Sequence, residues 1–120
     1  MKKLTIAMVA PPWLTVPAKG YGGTESVVDH LCRGLYEMGV KVDFFGVEGS
    51  VTPARRHYWT YAEEQYGHLT AGTDDPTPIP VTHLLSVMEQ IQRHGGYDII
   101  HDHNNILGPA LLVSRPELPP

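Results

Sequence analysis

An almost continuous apolar segment near the N-terminus, residues 4–10 (Leu-Thr-Ile-Ala-Met-Val-Ala), restricts the fold more than any other feature. Such a segment is typical of a strand that is buried on both faces in a parallel sheet. After a proline- and glycine-rich loop, apolar residues recur at helical spacing over residues 25–38, and Gly39 closes this helix. Residues 41–46 then form a second β-branched and aromatic stretch. The series predicts the α/β class, with a Rossmann-like parallel sheet flanked by helices.

The alternation of helices and strands resumes after a segment without a clear period. Residues 49–80 are rich in Pro, Gly, Thr and Asp. Because a structureless loop of about thirty residues would be unusual in one domain, we expect a short helix at residues 59–65 and a strand at residues 79–81. Beyond this segment, helical rhythm, a buried apolar run and a second apolar helix predict elements at residues 81–94, 97–101 and 106–114.

Length and composition limit the classes of function. A chain of 120 residues is expected to have one hydrophobic core. No transmembrane segment is predicted, since a membrane span needs roughly 18 or more consecutive apolar residues. The net charge is −4 and basic residues are not clustered, which argues against nucleic acid and favours a small-molecule partner. The single cysteine, Cys32, is predicted to lie in the core, and its lack of a disulfide partner favours the cytoplasm.

A glycine-rich loop, residues 19–25 (Lys-Gly-Tyr-Gly-Gly-Thr-Glu), separates the first strand from the first helix. Open α/β sheets bind ligands at this position. Gly22 and Gly23 lack the Cβ atoms that would keep a phosphate from the backbone, and Thr24 is the expected N-cap residue of the helix. The spacing matches neither the dinucleotide fingerprint nor the P-loop. Two interpretations stay open: the loop holds a phosphate, or its glycines only turn the chain.

Two histidines follow the last predicted strand. His101 and His103 are two residues apart, so an extended backbone would place their side chains on the same side. Metallohydrolases use such pairs, but a catalytic zinc normally has three protein ligands and no third is visible, so we predict no metal site. Alternatively, one histidine lies in the core and the other in solvent. Asn104 and Asn105 favour a third interpretation, a site for a polyhydroxylated ligand such as a sugar, because neutral His and Asn supply donors and acceptors.

In combination, these motifs resemble the N-terminal domain of retaining GT-B glycosyltransferases of family 4. The resemblance rests on the first strand, the glycine loop, the first helix and the Asp98-Ile99-Ile100-His101-Asp102-His103 segment, and it covers roughly residues 4–113. Residues 49–80 carry no family signal. The expected fold is therefore the incomplete N-terminal half of a GT-B fold.

The resemblance implies a nucleotide-sugar donor, a small-molecule, lipid or glycan acceptor, and transfer with retention of configuration, without a cofactor or a required metal. In the family, backbone amides and basic side chains stabilise the leaving diphosphate. Contacts to the donor diphosphate or the acceptor are implied for Tyr21, Gly22, Gly23 and Thr24. The acceptor pocket is implied to contain His101, His103 and Asn104. Glu25 is implied to position other groups.

The resemblance also implies that residues 1–120 are only part of the N-terminal, acceptor-side domain. The family's next strand, which carries a Thr-x-His-like segment, would begin where the chain ends at Pro120, and the C-terminal donor-binding domain is absent. We therefore expect the chain alone to be inactive. An unpaired sheet edge beside His101 would favour self-association. The alternatives are a non-catalytic sugar- or nucleotide-binding or interaction module, and a metal-dependent hydrolase that uses His101 and His103.

Overall fold

Strands and helices alternate along the chain, in a computed structural model that describes residues 3–72 and 74–120. The elements are β1 (Thr5–Val9), α1 (Gly23–Glu37), β2 (Lys41–Gly46), β3 (Arg56–Trp59), α2 (Tyr66–Ala71), α3 (Pro78–His94), β4 (Ile99–Asp102) and α4 (Leu107–Leu112). Two helix ends follow the sequence prediction closely. Gly39 after α1 and Gly95 after α3 both have positive φ, the backbone conformation that glycine adopts most readily.

The described strands form one parallel sheet in the order β3-β2-β1-β4. The apolar N-terminal segment is the inner strand β1, which pairs with β2 on one side and with β4 on the other. In this register Met8 lies beside His101, and Val9 lies beside Asp102. The predicted α/β class and Rossmann-like parallel sheet are therefore confirmed, and the sheet brings the ends of β1 and β4 together.

The core has two layers because alternate side chains of β1 point to opposite faces of the sheet. Ile6 and Met8 pack with α1, where Cys32 is fully buried as predicted. Ala7 and Val9 belong to the cluster on the other face, which includes apolar residues of α3. Helices on both faces explain why β1 is apolar from Ile6 to Val9 instead of alternating with polar residues.

The helix predicted at residues 59–65 is wrong, because the chain forms the strand β3 and then the helix α2 further along. The ring of Tyr58 in β3 stacks on Phe45 of β2, with centroids 5.0 Å apart and an angle of 19° between the rings. This contact joins residues from two strands, and a local pattern search cannot detect it. Packing across the sheet therefore overrides the local sequence signal.

The strand predicted at residues 79–81 is also wrong, because these residues belong to the first turn of α3. The helix begins at Pro78, and a proline at this position is tolerated since the first amides of a helix have no intrahelical partner. The predicted N-cap residue of α1 is wrong as well. Gly22, not Thr24, precedes α1, and no side chain caps the helix.

The strand β4 lies at an edge of the described sheet, as predicted for the strand with His101. The edge is not entirely unpaired. The backbone N–H of Ile100 donates a hydrogen bond of 2.6 Å to the carbonyl of Pro120, and Leu118 packs against the adjacent apolar cluster. The last residues of the chain thus contact the outer side of β4.

Candidate functional site

A cleft of about 430 Å³ lies at the carboxyl ends of β1 and β4, next to the start of α1. Residues from the two sequence motifs line it: Tyr21, Gly22, Gly23, Thr24, His103 and Asn104. His101 does not line the cleft, but its ring stacks on that of His103 with centroids 4.4 Å apart. The structure therefore brings the glycine loop and the histidine strand end together. This is the position at which open parallel sheets bind ligands.

The two adjacent glycines of the loop have different structural constraints. A Cβ atom on Gly22 would lie 2.5 Å from the Cβ of Ala18 and 2.9 Å from Oε1 of Glu25, so packing alone requires glycine there. A Cβ on Gly23 would meet nothing within 4 Å. The interpretation that the glycines only turn the chain is sufficient for Gly22. It does not account for Gly23, which faces the cleft.

Glu25 provides a buried carboxyl group in the first turn of α1, at the side of the cleft. Burial raises the pKa of this carboxyl, a hydrogen bond from the Glu25 backbone opposes the shift, and the negative charge of Glu64 adds to it. Glu64 is itself held in place, since its Oε2 accepts a hydrogen bond of 2.8 Å from the backbone N–H of Thr15. The carboxyl groups of Glu25 and Glu64 therefore interact electrostatically beside the glycine loop.

Asn104 is held in a fixed orientation at the end of β4. Its side-chain Nδ2 donates to Oδ1 of Asp102 at 2.7 Å and to the carbonyl of Ala10 at 3.3 Å, and its backbone N–H donates to Oδ2 of Asp102 at 3.1 Å. Both donors of the Asn104 side chain thus point into the protein. The Oδ1 atom is buried and has no hydrogen-bond partner among the described residues, although such atoms are normally satisfied.

His103 has a second buried polar atom without a partner. Its Nε2 accepts or donates no hydrogen bond within the described part of the chain. Burial lowers the pKa of His103, and the neighbouring His101 lowers it further, so the neutral ring is favoured. A neutral imidazole offers one donor and one acceptor nitrogen. A hydroxyl group, which donates one hydrogen bond and accepts others, matches the hydrogen-bonding chemistry of Nε2 of His103 and of Oδ1 of Asn104.

Asp102 is a site residue that the sequence prediction missed. Its carboxylate accepts two of the three hydrogen bonds that Asn104 donates, and the adjacent Gly108 of α4 leaves room for it, since a Cβ there would overlap the carboxylate. Burial raises the pKa of Asp102, and the hydrogen bonds from Asn104 oppose this shift. The spacing Asp-x-Asn was a usable signal, because Asp commonly accepts a hydrogen bond from the backbone two residues later.

His83 of α3 is a second missed residue and is completely buried beneath the cleft-lining loop. Its Nε2 lies 2.8 Å from the carbonyl of Ala10, and its Nδ1 lies 3.2 Å from Oγ1 of Thr60. Burial lowers the pKa of His83 to about 4, so the ring is neutral near pH 7, with Nε2 as the donor. Because the Ala10 carbonyl also accepts from Asn104, it connects His83 with the site. In the sequence, His83 lies among the regularly spaced apolar residues of α3, and no pattern distinguishes it as a site residue.

An apolar wall, which the sequence analysis did not predict, forms another side of the cleft. It consists of Trp13 and Leu14 from the loop after β1, Tyr66 and Leu69 from α2, and Ile106 before α4. The sequence signal for the α2 part was only a cluster of aromatic residues within residues 49–80. The cleft therefore combines a few fixed polar atoms with a larger apolar surface, as small-molecule sites usually do.

His101 and His103, which the metal-site interpretation would use as ligands, lie side by side at this edge of the sheet. In residues 3–72 and 74–120, no group of three or more His, Cys, Asp or Glu side chains is arranged to hold a metal ion. The metal-dependent hydrolase alternative thus gains no third ligand from these residues. None of the helices in the same ranges is long and apolar enough to cross a membrane.

Comparison with known proteins gave one family match. The sequence profile of Glycosyltransferase Family 4 matches residues 21–119, from the glycine loop to the last turn of the chain. A search of curated proteins found no match. The matched range contains both motifs of the cleft, and the parallel sheet with helices on both faces is consistent with the N-terminal Rossmann-like half of a GT-B fold. Because the profile covers most of its length, the chain belongs to glycosyltransferase family 4.

Proposed function

We propose that this chain is the acceptor-side part of a nucleotide-sugar-dependent glycosyltransferase that transfers a glycosyl group with retention of configuration. The family itself implies a sugar donor and an acceptor. One observation carries the proposal for the acceptor: Nε2 of His103 and Oδ1 of Asn104 are both buried without partners and belong to residues lining one cleft. A hydroxyl group of the acceptor would satisfy both atoms. His101 supports this pair by stacking on His103.

The glycine loop is the proposed contact for the donor diphosphate. The amides at the start of α1 and the positive end of its dipole favour negative charge, and Gly23 leaves the backbone accessible. Tyr21 and Thr24 flank this backbone in the cleft. During transfer, the bond from the sugar to the diphosphate breaks and negative charge develops on the leaving diphosphate. Amides that are already oriented towards this charge lower the barrier.

Catalysis by residues 1–120 alone is not expected, because the family holds most of the nucleotide-sugar on a second, C-terminal Rossmann-like domain. We propose that such a domain is needed for transfer. The test is to titrate the 120-residue chain with nucleotide-sugars and with simple polyols by NMR, and to assay product formation in parallel. Millimolar polyol binding at His103 and Asn104 without transfer is the expected result. Absence of any shift at these residues would contradict the proposed acceptor site.

A non-catalytic binding module is the second candidate function, and the same cleft supports it. Both proposals predict ligand binding by the isolated chain, so binding alone does not separate them. The coding sequence after Pro120 distinguishes the transferase from the binding module. A second Rossmann-like half encoded there supports the transferase, whereas a stop codon or an unrelated domain supports the module.

Self-association through β4 is a further part of the proposal. The strand is an edge of the described sheet, and edges offer unpaired backbone groups to another chain. The hydrogen bond from Ile100 to Pro120 occupies one of these groups and weakens the tendency. Light scattering over a range of protein concentrations measures this self-association. A monomer at every concentration would argue against pairing of this edge.

A further inference from the structure

The apolar wall of the cleft exposes large apolar side chains to solvent. Tyr66 and Leu69 on α2 are each 41% exposed, and Ile106 is 80% exposed, although all three line the same cleft. Single exposed apolar residues are common, but a contiguous apolar surface at a cleft usually marks a binding site. Trp13 and Leu14 extend this surface from the loop after β1.

The helix α2 is attached to the loop after β1 at its N-terminal end. The backbone N–H of Gln65 donates to the carbonyl of Pro12 at 3.2 Å, and that of Tyr66 donates to the carbonyl of Trp13 at 3.1 Å. Glu64 adds the hydrogen bond that it accepts from the Thr15 N–H. These contacts fix the apolar face of α2 relative to the glycine loop. The hydrogen bonds therefore place Tyr66 and Leu69 beside Trp13 and Leu14 at the cleft.

We propose that the acceptor is a small amphiphilic molecule, in which a hydroxyl-bearing polar part is joined to an apolar group of about the size of a hexyl chain or a phenyl ring. The inference rests on the proposed acceptor site. The hydroxyl binds His103 and Asn104, and the apolar group lies against Tyr66, Leu69 and Ile106. A cleft of about 430 Å³ is within the range that encloses small molecules, which favours such a compound over a large glycan.

The assignment gives α2 a role in specificity. The helix supplies Tyr66 and Leu69 to the apolar wall, whereas His103 and Asn104 lie in the segment at the end of β4 that carries the polar atoms of the cleft. The polar end of the cleft thus recognises a feature common to many acceptors, a hydroxyl group. The apolar wall selects among acceptors by what is attached to that hydroxyl-bearing part.

The test compares ligands that differ only in the apolar part. The full 120-residue chain is titrated by NMR or calorimetry with the methyl and the hexyl β-glycosides of glucose, galactose and mannose, and with 1-hexanol. Each buried methylene group strengthens binding about fourfold, so for at least one sugar the hexyl glycoside should bind more than tenfold tighter than the methyl glycoside. Hexanol should bind much more weakly than that hexyl glycoside, because it lacks the polar ring.

Matched leucine variants locate the effect. Leu69→Asn should weaken binding of the hexyl glycoside about fivefold and leave the methyl glycoside unchanged, since about half of a leucine side chain would lose its apolar contact. Leu85→Asn is the control, because Leu85 on α3 is similarly exposed, at 50%, and does not line the cleft. Both positions are at the surface, so both variants should fold.

The outcomes separate this inference from the proposed function. Equal affinities for methyl and hexyl glycosides, or equal effects of the two leucine variants, overturn the amphiphilic acceptor and leave the hydroxyl site standing. Hexanol binding as tightly as the hexyl glycosides overturns the sugar-like polar part of the proposed acceptor, since hexanol offers His103 and Asn104 only one hydroxyl. If none of the six glycosides binds, both proposals fail.

Discussion

The hydroxyl of Tyr97 donates a hydrogen bond of 2.6 Å to Oδ2 of Asp43, a buried carboxylate that lies 54 residues away in the sequence. Arg55 completes the cluster, with Nε and one terminal nitrogen each 2.9 Å from the same carboxylate. Burial acts to raise the pKa of Asp43, but the hydrogen bonds from Arg55 and Tyr97 outweigh it and the pKa is lowered. The cluster joins β2 to the segments before β3 and β4.

Removing the Tyr97 hydroxyl should therefore destabilise the fold. We expect Tyr97→Phe to lower the free energy of unfolding by about 2 kcal/mol, the usual effect of losing a hydrogen bond to a charged group. Urea denaturation at pH 7 measures the change. Tyr36→Phe is the control, because Tyr36 is 69% exposed on α1. Equal midpoints for the two variants would show that the Tyr97 contact contributes nothing to stability.

Acid should destabilise the protein through His83. The pKa of this ring is about 4 in the folded chain and about 6.5 in an unfolded one, so between these values the unfolded state binds the extra proton. Above about pH 6.5 this ring does not lower the free energy of unfolding. As the pH falls from about 6.5 to about 4, the free energy of unfolding should decrease by about 3 kcal/mol. His83→Gln should flatten this slope in urea titrations from pH 7 to 4. An unchanged slope would mean that other groups cause the acid sensitivity.

Local sequence patterns were sufficient for the elements that depend on local chemistry. The apolar segment of β1, the helical rhythm of α1 and α3, and the glycines after both helices predicted these elements to within a few residues. Parallel pairing of β1 with β2 followed, because two strands connected through a helix run in the same direction. The motif at the end of β4 was identified as well, and in the structure His103 and the glycine loop line one cleft, while the binding roles of these residues stay predictions.

Features that depend on contacts between distant residues could not be predicted. Tyr58 pairs with Phe45 in the sheet and stacks on its ring, and no pattern within residues 49–80 indicates this contact. The apolar wall depends on where α2 docks, which is set by backbone hydrogen bonds to Pro12 and Trp13. His83 looked like one more position of an amphipathic helix. Its function as a donor to Ala10 becomes visible only when α3 packs against the sheet.

The two loop glycines should respond differently to alanine. Gly22→Ala is expected to destabilise the fold by about 1–3 kcal/mol, because the new Cβ collides with Ala18. Gly23→Ala should leave stability unchanged or raise it by up to about 1 kcal/mol, since alanine restricts the unfolded chain and favours the helix. Its effect should instead be on binding, with severalfold weaker affinity for inorganic pyrophosphate measured by NMR titration. An unaltered affinity for pyrophosphate would favour the interpretation that the loop glycines only turn the chain.

Gly108 should control the orientation of Asn104 through Asp102. An alanine at residue 108 would push its Cβ into the Asp102 carboxylate, which orients Asn104 through two hydrogen bonds. We expect Gly108→Ala to lower the free energy of unfolding by about 1–3 kcal/mol and to shift the side-chain amide resonances of Asn104 in NMR spectra. Gly34→Ala is the matched control, because a Cβ there meets nothing within 4 Å and α1 should gain about 0.5–1 kcal/mol.

The readout on Asn104 separates positioning from general destabilisation. If Asp102 orients this side chain, the Gly108→Ala variant that remains folded should bind the methyl glycosides about tenfold more weakly, since Oδ1 of Asn104 would lose the orientation proposed for binding a hydroxyl. Gly34→Ala should bind them like the wild type. Unshifted Asn104 amide resonances together with wild-type affinity in Gly108→Ala would show that the Asp102 contact does not orient Asn104, and that this side chain is held by the Ala10 carbonyl instead.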